Sequence, residues 1–253
     1  MKTVIFVGPS ISRQQLAEMT TACLAPPIRR GDLDRFSDYE MLVIIDGEFG
    51  QNLSVSPKEI LSALKAGKTV IGASSMGALR ASELDTCGMI GVGWVYEHFA
   101  SAVVRRDDDV ALAYSPLDLS PITIPAIDIE YWTTLLWNKG LISKHEKKSL
   151  CLATRKIFYA ERTKSRLIRE LERTIGSMCL KGLLAHTSGM FPDIKQLDAR
   201  RAVRLHRVFC DSPATRRKQP IKESNNGISK TDKWEPWPDG TPRESCSGPG
   251  LPR

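Results

Sequence analysis

Three short apolar runs, each followed by a helix-forming segment, constrain the fold of this chain most. Val4–Val7, Met41–Ile45 and Thr69–Ala73 are aliphatic or β-branched almost throughout. Continuous runs of this kind suit strands covered on both faces, as in a parallel sheet. Gly8-Pro9-Ser10 ends the first run and Asp46-Gly47 the second. A helix is expected over about Ser12–Leu24, with Leu16, Met19, Thr20 and Cys23 on one face. Another begins at Pro57, with Ser56 as its N-cap, Ile60, Leu61 and Leu64 as its buried stripe and Gly67 at its end. Strands and helices alternating through short loops predict an α/β fold: a small, mostly parallel sheet with flanking helices and right-handed crossovers.

The later chain reads differently. Cys87–Gly93 is a glycine-rich connector, and a helix is expected over about Trp94–Val103. Val110–Tyr114 reads as a short strand, and Pro116, Pro121 and Pro125 mark 115–127 as a loop. From Asp128 the pattern is helical to about Gly176, and an amphipathic helix follows from about Asp193 to Phe209. The expected division is an α/β core over 1–125, a helical region packing on it over 126–210, and a disordered tail over 211–253. That tail holds 7 Pro and 4 Gly in 43 residues, with only Ile221, Ile228 and Leu251 as aliphatics. So little apolar surface does not offset the entropy of ordering. Trp234 and Trp237 are the tail's candidates for a docking motif.

Composition removes several function classes. No apolar run approaches the ~20 residues of a membrane span, and Met1–Gly8 lacks a signal-peptide hydrophobic region. A cytoplasmic protein without membrane contact is expected. The 6 cysteines and 4 histidines show no C-x-x-C and no H-E-x-x-H, so reduced thiols, no metal and no cofactor are expected. Gly8-Pro9-Ser10 lacks the G-K-[ST] ending of a phosphate-binding loop. The net charge of +7 is concentrated in residues 151–210, which carry 13 basic and 5 acidic groups. That stretch is either a solvated helix face or a docking face for an acidic macromolecule. Nucleic acid is disfavoured, because aromatics there are sparse and no nucleic-acid motif is present.

The chemistry centres on Gly72-Ala73-Ser74-Ser75-Met76-Gly77-Ala78-Leu79-Arg80, a strand, a tight turn of small residues and a helix start. Nucleophile elbows place a serine in such a context, where free helix N–H groups stabilise an oxyanion. Three turns, at 8–10, 46–49 and 73–77, meet at the carboxyl edge of the expected sheet, where ligands bind in this class of fold. Lys58 lies in the first turn of the helix from Pro57, where the helix dipole disfavours a positive charge and so favours a neutral amine. A neutral lysine serves as general base to a serine. This gives Ser75 as nucleophile, Ser74 as its fallback, Lys58 as base, and N–H groups near Met76 and Gly77 as oxyanion donors. The alternative is that one serine caps the following helix and Lys58 is a solvated surface residue. Ser10, Arg30, Asp32, Asp46, Met76, Gly77 and Arg80 are the candidate substrate-binding residues. Four of them have a plainer reading: Arg30 and Asp32 within a surface salt bridge, Asp46 as a turn residue, Arg80 paired with Glu83.

Several ordered segments together resemble the TfuA-like family. They are Val7-Gly8-Pro9-Ser10, Pro27–Leu33, Ile45-Asp46-Gly47 with Phe49, Lys58-Glu59-Ile60-Leu61, Gly72–Ala81 with Glu83-Leu84, and Gly88–Gly93, followed by Asp108–Ala111 and Tyr159–Thr163. The likeness spans roughly residues 3–165. Ser54-Val55-Ser56-Pro57 departs from the family's more usual aromatic or His-containing lead-in to the lysine. The resemblance implies a protein that works beside YcaO enzymes, which install thioamides in peptide backbones, as in trifolitoxin-type biosynthesis. It implies hydrolysis of the C-terminal thiocarboxylate of a ThiS-like sulfur-carrier protein by a Ser-Lys pair, which falls on Ser75 and Lys58. The YcaO protein and the carrier are then the expected partners, with the basic 151–210 region as a docking face. A non-catalytic adaptor that strengthens YcaO binding to its peptide is the alternative.

Overall fold

A computed structural model describes residues 1–50, 52–102 and 106–211, with two short paired segments, Glu235–Pro236 and Pro242–Arg243. The disorder expected over 211–253, and the Trp234 and Trp237 motif, otherwise lie outside the described residues.

The five strands are β1 (Thr3–Phe6), β2 (Cys23–Ala25), β3 (Met41–Ile44), β4 (Thr69–Ala73) and β5 (Ile90–Val92). They form one sheet in the order β2-β1-β3-β4-β5, parallel at every pairing. The α/β expectation is therefore met. Along β1 and β3 successive side chains enter opposite layers: Val4, Phe6, Leu42 and Ile44 face one core, and Ile5, Val7, Val43 and Ile45 the other. The period of two explains why these runs are apolar at every position.

The first layer contains α3 (Pro57–Lys65), α4 (Met76–Leu84) and α5 (Trp94–Ser101). The start of α3 is the one read from sequence. Pro57 is its first residue, and Ser56 and Glu59 complete a reciprocal capping box. The second layer is built on α1 (Arg13–Ala17) and α10 (Ile194–Asp211), through Leu16, Ala199, Ala202 and Val203. The last described helix thus returns to the sheet. Between them, α6 (Ala126–Asn138), α7 (Lys144–Arg155), α8 (Lys164–Ile175) and α9 (Ser177–Ala185) enclose a third core around Trp132, Leu150, Leu167 and Leu171. Among the described residues no helix is long and apolar enough to cross a membrane.

Four local expectations are corrected. The helix over Ser12–Leu24 stops at Ala17, because Thr20 turns the chain by accepting the Ala22 N–H at 3.1 Å and Cys23–Ala25 joins β1 as a strand. The glycine-rich connector contains β5, whose Gly91 lies against the Tyr96 ring where no side chain fits. Val110–Tyr114 is not a strand; only an isolated bridge links Tyr114 to Pro121. Cys87, Cys151, Cys179 and Cys210 are free thiols, as expected, whereas Cys23 is disulfide-bonded.

Candidate active site

Reversal of strand order fixes where a ligand sits in a doubly wound sheet. The chain runs outward from β1 to β2 on one side and from β3 to β5 on the other, so β1 and β3 flank the switch point. The loops leaving those two strands are bound together there by Asp46. One carboxylate oxygen of Asp46 accepts the backbone N–H groups of Gly8 at 2.8 Å and Ser10 at 3.1 Å, and the other accepts the Ser10 hydroxyl at 2.6 Å. Asp46 and Ser10 are both buried. Their pairing ties the loop after β1 to the loop after β3.

A cavity of about 290 Å³ lies at this edge, lined by Pro9, Asp46, Gly47, Glu48, Ser75, Tyr114, Tyr159 and Lys195, among others. Gly47 admits the approach of α4, since a side chain there would overlap Met76. Glu48 accepts the Tyr114 hydroxyl at 2.6 Å and lies 3.7 Å from the Arg29 guanidinium. Burial, then the bond to Glu48, raises the Tyr114 pKa, so the phenol stays a proton donor.

The serine turn is built by a backbone that only small residues permit. Side chains at Gly72 and Gly77 would collide with backbone carbonyls of Gly77 and Ile44 respectively. The Ser75 N–H donates to the Ala73 carbonyl at 2.8 Å across Ser74, whose φ is +68°. That is a tight three-residue turn in the left-handed region, a conformation that costs a non-glycine residue roughly 1–2 kcal/mol. Ser74 is fully buried, and its hydroxyl has no hydrogen-bond partner among the described residues. Ser75 is the N-cap residue of α4, but its side chain makes no capping bond. Neither serine therefore caps the helix. Ser75 lines the cavity; Ser74 is not among the residues lining it.

The remaining candidates divide plainly. Met76 opens α4, where the N–H has no intrahelical acceptor. The Gly77 N–H is already engaged with the Ile45 carbonyl at 3.3 Å, which removes it as an oxyanion donor. Arg80 donates to the Val55 carbonyl at 2.9 Å and pairs with Glu83 at 2.9 Å. Arg30 is exposed, and its backbone N–H meets the Leu53 carbonyl at 2.8 Å. Asp32 accepts the Arg29 N–H at 2.8 Å and lies 3.4 Å from Arg35; burial raises its pKa against those contacts. Lys58 is exposed on α3 and is not among the residues lining the Ser75 cavity.

Sequence reasoning missed Lys195, which is 2 % exposed and lines this cavity and the neighbouring one. It is the second residue of α10. The rule that singled out Lys58, a lysine in the first turn of a helix, applies equally to Lys195 and was the available signal. The neighbouring cavity, about 320 Å³, shares Pro9, Leu112 and Lys195 with the first and adds Asp128, Asp193 and Phe191. Asp128 is held well above the usual carboxylate range, by burial first and by Asp193 second. No curated protein matches the chain significantly. Residues 46–163, from the Asp46 staple past the serine turn to the loop that carries Tyr159, match the family described as TfuA-like protein. Over that segment, residues 46–163, the chain carries a TfuA-like domain.

Proposed function

We propose that this protein hydrolyses the C-terminal thiocarboxylate of a ThiS-like sulfur-carrier protein, supplying sulfide for YcaO-catalysed thioamidation of a peptide backbone. The TfuA-like segment points to YcaO-associated thioamidation. One observation carries the hydrolytic step: Ser75, uncommitted to capping, lines a cavity at the switch point of the sheet and at the N-terminal end of α4. Attack by the Ser75 hydroxyl on the thiocarboxylate carbon forms an acyl–oxygen bond. The carbon–sulfur bond breaks, and a lysine carries the serine proton to the departing sulfur, which leaves as hydrosulfide. Water then attacks the acyl-serine, the lysine takes its proton, and Ser75 recovers one as the carboxylate departs. The Met76 N–H at the first position of α4 is the backbone donor available to the oxyanion.

Mixing the purified protein with a thiocarboxylated carrier and following sulfide tests the reading. Ser75→Ala is expected to lower the release rate by at least about 1,000-fold with binding of the carrier retained. Release equal to that of the unsubstituted protein from Ser75→Ala removes the proposal and leaves the adaptor role. That second reading draws on α8 (Lys164–Ile175), whose two buried residues, Leu167 and Leu171, leave Arg169 and Arg173 on its outer side.

A further inference from the structure

The hydrolytic proposal needs an amine at the serine, and the family resemblance puts it on Lys58, whose exposed place on α3 keeps it off the cavity lining. We infer that Lys195, at the start of α10, is the proton acceptor for Ser75. This rests on the hydrolase reading and deepens it.

Four observations converge. Lys195 and Ser75 line the same small cavity, and Lys195 is the lysine among its lining residues. Its side chain is buried, an uncommon state for lysine unless the ammonium is paired. Yet Lys195 forms no ion pair with the described residues; its amine has a single hydrogen bond, to the Val110 carbonyl at 3.0 Å. Two carboxyls, of Asp128 and Asp193, attract its charge without forming an ion pair with it among the described residues, and both hold backbone N–H groups. Asp128 accepts the Ile194 N–H at 3.2 Å, and Asp193 accepts the Gln196 N–H at 2.8 Å, so both carboxyls cap α10. The amine thus donates to one carbonyl acceptor, and its residue lines the cavity that Ser75 also lines.

The fold also explains how a residue so distant in sequence arrives there. Ala199, Ala202 and Val203 lay α10 against the face of the sheet that bears Ile71 and Ala73 of β4, the strand that ends at the serine turn. The first turn of α10 therefore lies at the carboxyl edge, beside the loops after β1 and β3. In the reaction, the Ser75 Oγ–H proton moves to the Lys195 amine as the Oγ–carbon bond forms. The resulting ammonium gives that proton to sulfur as the carbon–sulfur bond breaks, so no external oxidant or reductant is required.

The test compares sulfide release from a thiocarboxylated carrier by the full chain and by Ser75→Ala, Lys195→Met, Lys195→Arg and Lys58→Ala, each across pH 6–10. Lys195→Met is expected to lose at least about 100-fold, the range for removing a positioned general base. Lys195→Arg separates base from scaffold. Arginine keeps a donor for the Val110 carbonyl and a positive charge, but it does not give up a proton in this pH range. Folded Lys195→Arg with a similar 100-fold loss supports the inference, with Lys58→Ala within about 3-fold of the unsubstituted protein. Release within about 3-fold of the unsubstituted rate from either Lys195 variant overturns it, whichever of the two folds. Loss on Lys58→Ala with Lys195→Arg active returns the base to Lys58. An active Ser75→Ala instead ends the hydrolase reading itself, so the two failures are distinguishable.

Discussion

Ser74 and Ser75 are adjacent, yet the turn gives them opposite fates. Ser74 carries the left-handed φ of +68° and a buried hydroxyl without a partner. Such strain, together with an unsatisfied polar group, commonly marks a functional position. Access argues the other way, because the cavity is lined by Ser75. A substitution at Ser74 decides between strain and access. Ser74→Ala keeps the Cβ and hence the backbone strain, and deletes only the orphan hydroxyl. The expected outcome is a thermal midpoint unchanged or raised by up to about 4 °C, equivalent to relief of about 1 kcal/mol. Sulfide release is expected to stay within about 3-fold of the unsubstituted rate. A Ser74→Ala protein that is folded but inactive would instead move the nucleophile to Ser74. On that outcome Gly72 stands two residues before the nucleophile, as the first glycine of a nucleophile elbow does.

At the scale of elements, the strand-to-helix joint depends on two glycines that let α4 descend onto the sheet. A Cβ on Gly77 would occupy the space of the Ile44 carbonyl, and backbone offers no rotamer through which to yield. Gly77→Ala is expected to lose at least about 3 kcal/mol, a fall of roughly 6–12 °C in the melting midpoint measured by calorimetry or circular dichroism. A midpoint within 2 °C of the parent would show that the approach of α4 is looser than described. This joint was legible in the sequence, because a β-branched run, small residues and a helix-forming run each have local causes. So was the start of α3, where Ser56, Pro57 and Glu59 sit at fixed local offsets. β2 and β5 were not. Each is three residues long, and Cys23-Leu24-Ala25 and Ile90-Gly91-Val92 become strands only through pairing with β1 and β4. The site divides in the same way. Ser75 was readable from its turn, while Lys195 belongs to the cavity only because α10 folds back across the sheet from 120 positions later in the chain.

That return of α10 also joins the helical section to the α/β core in the whole molecule. Asp128 on α6 accepts the N–H of Ile194, so a carboxyl from the third core caps the helix that closes the second layer. Burial, with Asp193 adding repulsion, raises the Asp128 pKa well above its ordinary value of 3.8. The folded state therefore keeps a proton that the unfolded chain releases once pH exceeds that value. Stability contributed through Asp128 is complete below about pH 4 and declines as pH rises toward the raised value, levelling off above it. Asparagine retains an oxygen for the Ile194 N–H and has no charge to develop. Asp128→Asn is thus expected to match the parent near pH 3.5 and to melt several degrees higher at pH 8, by about 2–4 °C for each kcal/mol recovered. Thermal melts across pH 3.5–8 measure this directly, and a constant offset between the two proteins at every pH would place the Asp128 contribution in packing instead of proton linkage. The same residue lines the cavity next to Lys195. Stability and release should consequently be read on one set of samples: a variant that melts higher yet releases sulfide more slowly would show that the buried acid is kept for the reaction, at the expense of the fold.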